Sequence, residues 1–209
     1  MEIIYQILDV ILPFEFMSYS FMKNAFLAIL LISPIFAILG TMIVNNKMAF
    51  FSDALGHSAL TGIAIGTIFG IANNNISMII FAIIFAVALN IVKQKTSYGA
   101  DTIISVFSSV AIAVGLAILS NSGNFTKYSS YLVGDVLSIT WNEIVVLFIA
   151  VIVILLFWYY SFNKLNCVSI NETLAKSKGI NVKLIDNLFV IIIAIVVMLS
   201  IRWSGILLI

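Results

Sequence analysis

Two side chains of types that bind metal ions lie four residues apart in this sequence. At this spacing Asp53 and His57 share one face of a helix, with Thr61 next in the same row. A carboxylate oxygen and an imidazole nitrogen suit borderline cations such as Mn²⁺, Zn²⁺ and Fe²⁺. Ionisable groups inside an apolar span are costly and commonly mark an ion path. The pattern predicts a metal path, and a helix cap with a buried hydrogen-bonded pair is the alternative interpretation.

A second row on the same predicted helix has a small residue at every fourth position. Small residues at this interval let a helix approach its neighbour closely within lipid. We therefore assign Gly62, Gly66 and Gly70 to helix packing, as structural support for the site. The whole row is Ala54, Ser58, Gly62, Gly66 and Gly70.

The composition places these rows in a membrane protein. Hydrophobic residues make up 63% of the 209 residues, charged residues 9%, and mean hydropathy is +1.21. Soluble domains carry roughly 25% charged residues, so this chain could not cover a water-facing surface. A net charge of +1 gives no electrostatic case for nucleic acid. Cys167 is the only cysteine, which excludes an intramolecular disulfide.

Hydrophobic stretches predict an all-α, polytopic bundle of about six spanning helices in a single transmembrane domain, residues 1–209. The second span is short, and we expect it to start earlier, near Ser52, so that Asp53 and His57 join the helix. Residues Ile3–Met17 are too short to span, and their two faces predict a helix lying in the membrane interface. The predicted spans are Ala25–Val44, Ala59–Ala72, Ile76–Val92, Ile103–Ser120, Glu143–Tyr160 and Leu184–Ile201.

Lysine placement predicts the orientation of the bundle. Seven lysines follow the first, third and fifth spans, and two lie on the alternate side. Cytoplasmic loops carry the excess of Lys and Arg, so these three loops are expected inside and the N-terminus outside. The seven are Lys47, Lys93, Lys95, Lys164, Lys176, Lys178 and Lys183, and the two are Lys23 and Lys127.

Two connecting stretches carry further signals. In the predicted cytoplasmic loop, Ser169 to Glu172 has the form of a capping box that starts a helix, and Gly179 suits its end. This short helix is a natural contact for a partner, or a solvated connector. The stretch Asn121–Trp141 is an outer loop or partly re-entrant, and Arg202 is expected near the outer end of the last span.

The chain lacks two motifs that would indicate an enzyme. It has no Gly-x-x-x-x-Gly-Lys-Ser/Thr loop for nucleotide phosphates, so it cannot use ATP by itself. It has no HExxH motif, and His57 is its only histidine, which argues against a zinc protease. We therefore expect a protein that is not an enzyme.

Several segments, in order along the chain, resemble the permeases of the manganese/zinc/iron-chelate ABC importers. The run NNKMAFFSDALGHSALTGIAIG, which contains Asp53 and His57, is similar to the family's RRMAFxGDAxSHAxLPG pattern. Residues 131–135 (YLVGD) resemble its YLxG element, and Glu172, Ala175 and Gly179 match its ExxxAxxxGI segment. Asn46 and Thr61 depart from the usual basic residue and proline.

The resemblance implies a homodimer in the bacterial plasma membrane that is joined to two cytoplasmic ATPase subunits and served by an extracellular metal-binding protein. It implies that Asp53 and His57 line the path of a divalent metal ion, which is the substrate. No permanent cofactor is implied, and ATP binds to the partner subunit. Glu172, Ala175 and Gly179 would couple the permease to the ATPase.

The length of the chain leaves other interpretations open. Family members continue for further helices, so the chain is expected to be C-terminally incomplete. An inactive truncated permease or a membrane scaffold without transport is therefore the main alternative, and a passive metal channel is a second.

Overall fold

The structure, a computed structural model, describes residues 2–11, 14–71, 73–121 and 130–206. These residues form helices, turns and connecting segments, with no strand among them, as predicted from the hydrophobic pattern. The long helices are α1 (Glu2–Ile11), α2 (Ser20–Asn45), α3 (Phe51–Ile68), α4 (Asn74–Lys95), α5 (Ala100–Asn121), α6 (Trp141–Ile170) and α8 (Val182–Ser204), with the short α7 (Glu172–Ser177) between the last two. Single helical turns lie at Glu15–Ser18, Ser130–Val133 and Val136–Ser138.

Five of the described helices, α2, α4, α5, α6 and α8, are long and apolar enough to cross a membrane. The remaining predicted span, the second along the chain, corresponds to α3. This helix starts at Phe51 and thus includes Asp53 and His57, as expected. α3 lies at the centre of the bundle against α4, α5 and α8, and most of its residues are buried by protein. A helix that is covered by its neighbours does not need an apolar surface for lipid, so α3 can carry Ser, Thr, Gly, Asp and His.

α6 extends well beyond the predicted end of the fifth span. Its 30 residues measure about 45 Å, against a hydrocarbon core of about 30 Å. The polar residues after Tyr160 indicate where the helix leaves lipid, and they do not end its hydrogen bonding. The predicted loop from Ser161 is therefore helical as far as Ile170.

The N-terminal helix α1 is attached to α2 by polar contacts. The Tyr5 hydroxyl donates to Asn24 Oδ1 at 2.5 Å, and the Asn24 amide donates to the carbonyl of Ile139 at 3.1 Å. Lys23 is buried, and its Nζ lies 2.7 Å from the Asp9 carboxylate. These contacts hold α1 beside the start of α2, and its placement in the membrane interface stays a prediction.

Candidate functional site

Asp53 and His57 lie side by side on the first turns of α3. His57 Nε2 is 3.4 Å from Asp53 Oδ1, and the two side chains are 30% and 57% exposed respectively. This separation is longer than an ordinary hydrogen bond, so neither group is tightly held by the other. The start of α3 has no side-chain cap, and the pair is not buried. Both features of the alternative interpretation, a cap and a buried pair, are therefore missing in the described residues.

The two side chains form an incomplete coordination shell. A protein zinc site usually has about four ligands, of which this pair supplies two. No group of three or more His, Cys, Asp or Glu side chains that could hold a metal ion occurs among the described residues. An incomplete, exposed shell binds an ion weakly, which suits a path better than a permanent site.

Thr61 has a different role from its two neighbours in the row. It is 1% exposed, and its hydroxyl donates to the carbonyl of Ala111 on α5 at 2.5 Å. Gly115 makes this contact possible, because a Cβ at that position would lie 2.5 Å from Thr61 Oγ1 and 3.1 Å from its backbone nitrogen. Thr61 thus fastens α3 to α5 and does not extend the row of potential ligands.

We expect Thr61→Val to lower the stability of the protein by about 0.6–1.7 kcal/mol, the range for an interhelical side-chain hydrogen bond in a membrane protein. The measurement is the unfolding midpoint in detergent. Thr41→Val is the matched control, because the Thr41 hydroxyl donates within its own helix, to Ile38 at 2.8 Å. Equal effects of the two substitutions would contradict this assignment.

The row of small residues brings α3 and α4 together at two of its three assigned glycines. A Cβ at Gly62 would lie 3.0 Å from Phe81 Cβ and 3.1 Å from Met78 Cα, and one at Gly66 would overlap the side chain of Ser77. The Ser77 hydroxyl donates to the Gly62 carbonyl at 2.6 Å. Gly70 lies outside this contact, since a Cβ there would meet nothing within 4 Å. Its φ of +70° suits the turn after α3.

A single residue, Asn171, separates the end of α6 from the start of α7. Asn171 caps it, accepting hydrogen bonds from the backbone of Thr173 at 2.9 Å and of Leu174 at 3.1 Å. The predicted capping box with Ser169 as the cap is therefore wrong: Ser169 belongs to α6, and its hydroxyl donates to the carbonyl of Asn166.

The three residues assigned to coupling occupy different environments around α7. Glu172 is exposed and forms an ion pair with Lys176 at 2.7 Å. Ala175 is fully buried against Val168 of α6 and Val182 of α8. Gly179 follows the helix with a φ of +74°, which a residue with a Cβ rarely adopts. Ala175 thus anchors α7 to the bundle, while Glu172 is available to the surroundings.

At the opposite end of the bundle, Arg202 forms an ion pair with Glu143 at the start of α6. The other carboxylate oxygen of Glu143 accepts from the Thr140 backbone at 2.9 Å. The Arg202 carbonyl in turn accepts from the backbone nitrogen of Asp135 at 3.1 Å. One acid therefore ties α6, α8 and the preceding loop together. Its role was missed, although the spacing of Thr140 and Glu143 is a capping-box signature.

Residues 131–134 fold back onto the end of α8. Tyr131 and Leu132 pack on the main hydrophobic cluster. Gly134 and Gly205 have φ values of +76° and +75°, and their backbones lie against each other. The segment resembling a YLxG element is thus a packing turn, and Asp135 in it accepts from the Leu137 backbone at 3.0 Å and caps the next turn. Residues 122–129 lie outside the described part of the chain.

Comparison with known proteins gives consistent matches along the chain. The sequence profile of the ABC 3 transport family matches residues 18–209. The high-affinity zinc uptake system membrane protein ZnuB of Haemophilus influenzae is 31% identical over 192 residues, covering 91% of this chain and 73% of the relative. The manganese transport system membrane protein MntC of Listeria monocytogenes is 26% identical over 197 residues, covering 92% of this chain and 69% of MntC.

A solved structure has the same fold. PsaBC from Streptococcus pneumoniae, determined in complex with Fab, matches with a TM-score of 0.74 and 22% identity. The match covers 100% of this chain and 72% of the PsaBC chain. The fold of this chain therefore also occurs in a solved structure.

Proposed function

The chain belongs to the ABC 3 transport family, and on that premise we infer that it is the membrane-spanning permease of an ATP-driven importer of divalent metal ions. The matching relatives include zinc uptake and manganese transport proteins, which supports zinc or manganese as substrate. The observation that carries the assignment to this chain is the exposed Asp53–His57 pair on a central helix that is otherwise packed against protein.

We propose that the metal ion passes this pair after losing part of its water shell. Asp53 and His57 replace some of the lost water ligands, and a second copy of the chain would supply an equivalent pair. Two carboxylates and two imidazoles would then complete a shell of four ligands. Because each copy holds only half of the shell, a small separation of the copies would release the ion.

Two further partners would supply the energy for transport and deliver the metal ion. The sequence contains no nucleotide-binding loop, so a separate cytoplasmic ATPase subunit would drive the cycle. α7 would contact that subunit, with Ala175 holding the helix in place, Gly179 ending it and Glu172 facing the partner. An extracellular metal-binding protein would deliver the ion. The chain itself would form a single transmembrane domain, residues 1–209, in the bacterial plasma membrane with its N-terminus outside.

The test of the function is radiolabelled Zn²⁺ and Mn²⁺ uptake into proteoliposomes that contain this chain, its ATPase and its binding protein. ATP-dependent uptake of one or both ions is the expected result. Flux without ATP would indicate a passive channel instead. Absence of uptake alongside active related permeases in the same preparation would identify an inactive permease or scaffold.

The orientation has its own test. In a Cys167→Ala background, Ala49→Cys lies in the turn between α2 and α3, and Ser138→Cys lies in the loop before α6; both positions are exposed. A membrane-impermeant maleimide added to intact cells is expected to label Ser138→Cys and to leave Ala49→Cys unmodified. The reverse pattern would overturn the proposed orientation.

Metal uptake is expected to fall as the pH is lowered from 8 to 5, because an imidazole must be neutral to bind a metal ion. The measurement is initial uptake rate against pH, with ATP hydrolysis followed in the same vesicles. A hydrolysis rate that holds while uptake falls would locate the effect on the ion path. An uptake rate that does not change across this pH range would contradict a ligand role for His57.

A further inference from the structure

A polar cavity of about 400 Å³ lies where the proposed cytoplasmic ends of α4, α6 and α8 meet α7 and the turn between α2 and α3. Its lining contains charges of both signs: Lys47 and Lys93, and opposite them Glu172 and Asp186. Glu172 is the first residue of α7, and Lys47 lies two positions after the end of α2. The cavity thus joins the helix proposed to contact the ATPase to the turn that leads into α3.

Lys93, near the end of α4, lines this cavity together with both acids. Its Nζ donates to the sulfur of Met48 at 3.0 Å. A thioether is a weak acceptor, whereas an ammonium group carries three donors. Asp186 and Glu172 both act electrostatically on Lys93, yet Lys93 takes part in none of the ion pairs among the described residues. Asp186 lines the same cavity without an ion pair to Lys93, and Glu172 pairs with Lys176 instead.

Met48 connects Lys93 to the start of α3. It is 1% exposed, and its carbonyl accepts from the backbone nitrogen of Phe51, the first residue of α3, at 3.0 Å. Asp53 lies two residues further along the same helix. A change in the Lys93–Met48 contact therefore acts directly on the turn that sets the position of Asp53 and His57.

The contact between α4 and α8 beside the cavity is polar and incompletely satisfied. Asn90, one turn before Lys93, is fully buried, and its amide donates to Asn187 Oδ1 at 2.7 Å. Asn90 Oδ1 has no hydrogen-bond partner within the described ranges. An unpaired buried acceptor costs free energy, so a donor brought to this region would stabilise the contact between α4 and α8.

We propose, on the basis of the proposed function, that Lys93 is a positioning residue that exchanges the Met48 sulfur for the Asp186 carboxylate during the transport cycle. This exchange would link α7 to Asp53 and His57 on α3. When the ATPase displaces α7, Glu172 moves at the edge of the cavity and changes the field at Lys93. Lys93 then leaves Met48, the turn before α3 is released, and Asp53 and His57 shift. The two arrangements form a two-state element biased from the ATPase side.

The first test distinguishes a loss of coupling between ATP hydrolysis and metal import from a failure of the complex to assemble. Lys93→Met is expected to lower the number of metal ions imported per ATP hydrolysed by about 10-fold, while ATP hydrolysis and metal binding stay at wild-type levels. Lys95→Met is the matched control, because it removes the same charge from an exposed position two residues on. Asp186→Asn should reproduce the defect, and the exchange of both charges in Lys93→Asp with Asp186→Lys should recover part of the coupling. A wild-type ratio in Lys93→Met, or equal losses in Lys93→Met and Lys95→Met, would overturn the proposal.

The second test needs no metal transport and so separates this proposal from the import assignment. Spin labels at Ala49→Cys and Ser177→Cys, in a Cys167→Ala background, report the distance between the turn before α3 and the end of α7. ATP binding to the assembled complex is expected to change this distance in the wild type and in Lys95→Met, but not in Lys93→Met. No ATP-dependent change in the wild type, or the same change in Lys93→Met, would show that Lys93 does not link the two elements.

Discussion

Replacing Asp53 or His57 by alanine is expected to lower ATP-driven metal uptake by roughly 100-fold or more, since loss of a residue that merely supports a ligand already costs about 10–100-fold. Each substitution removes one of the two ligands that a chain would contribute to the proposed site. In a dimer the symmetric loss removes half of the proposed shell. The measurement is initial uptake of Zn²⁺ and Mn²⁺ into proteoliposomes with the ATPase and binding protein present.

Asp101→Ala is the control for this prediction. Asp101 is an exposed acid on the first turn of α5, so its removal changes net charge as Asp53→Ala does. It should leave uptake near the wild-type rate. ATP hydrolysis should also persist in both variants, because nucleotide would bind to the separate ATPase subunit. Uptake at wild-type rates in Asp53→Ala and His57→Ala would reject the assignment of the metal path to α3.

The largest expected effect on stability is that of Gly134→Ala, about 2–5 kcal/mol, which combines the cost of a left-handed backbone for a non-glycine residue with that of overpacking. A Cβ at Gly134 would come within 2.6 Å of three backbone atoms, in Trp203, Ser204 and Gly205. Backbone cannot move aside as a flexible side chain can. The turn would therefore separate from the end of α8, with loss of the contact between Asp135 and Arg202. The measurement is the thermal unfolding midpoint in detergent.

Substitutions at two other glycines separate the two contributions to this loss of stability, the backbone conformation and the overpacking. Gly70 has a φ of +70°, but a Cβ added there would meet nothing within 4 Å, so Gly70→Ala should cost only the backbone term of about 1–2 kcal/mol. Gly40 lies inside α2 with neither constraint, and Gly40→Ala should be neutral or stabilise by up to about 1 kcal/mol. If Gly134→Ala unfolds at the same temperature as Gly70→Ala, the backbone contact with α8 contributes nothing.

The main features of the fold follow from composition and hydrophobic pattern. A chain with 63% hydrophobic and 9% charged residues must use lipid as its solvent, and in lipid the backbone is satisfied by helices. The four-residue spacing placed Asp53 and His57 on one helical face, because the α-helical repeat is a local property. The start of α3 near Ser52 was predicted from the shortness of the second apolar stretch, and the helix begins at Phe51.

Local signals were less informative where two of them competed. Ser169 and Asn171 both offer a side-chain acceptor near the start of α7, and the sequence pattern favoured Ser169. The structure assigns the cap to Asn171 because α6 keeps its hydrogen bonds as far as Ile170. Likewise, Thr61 shares the helical row of Asp53 and His57, and only the position of α5 turns it into a packing residue.

The sequence by itself determined that this protein is a helical membrane protein, which residues face one side of α3, and where small residues permit close packing. These properties depend on solvent transfer and on the helical repeat, which act over a few neighbouring residues. Only the tertiary structure decided that α3 is central, that Arg202 pairs with Glu143, and that Lys93 faces Asp186 and Glu172 across one cavity. These relations join residues from about 60 to 90 positions apart in the chain, and they depend on how whole helices pack, which no local pattern encodes.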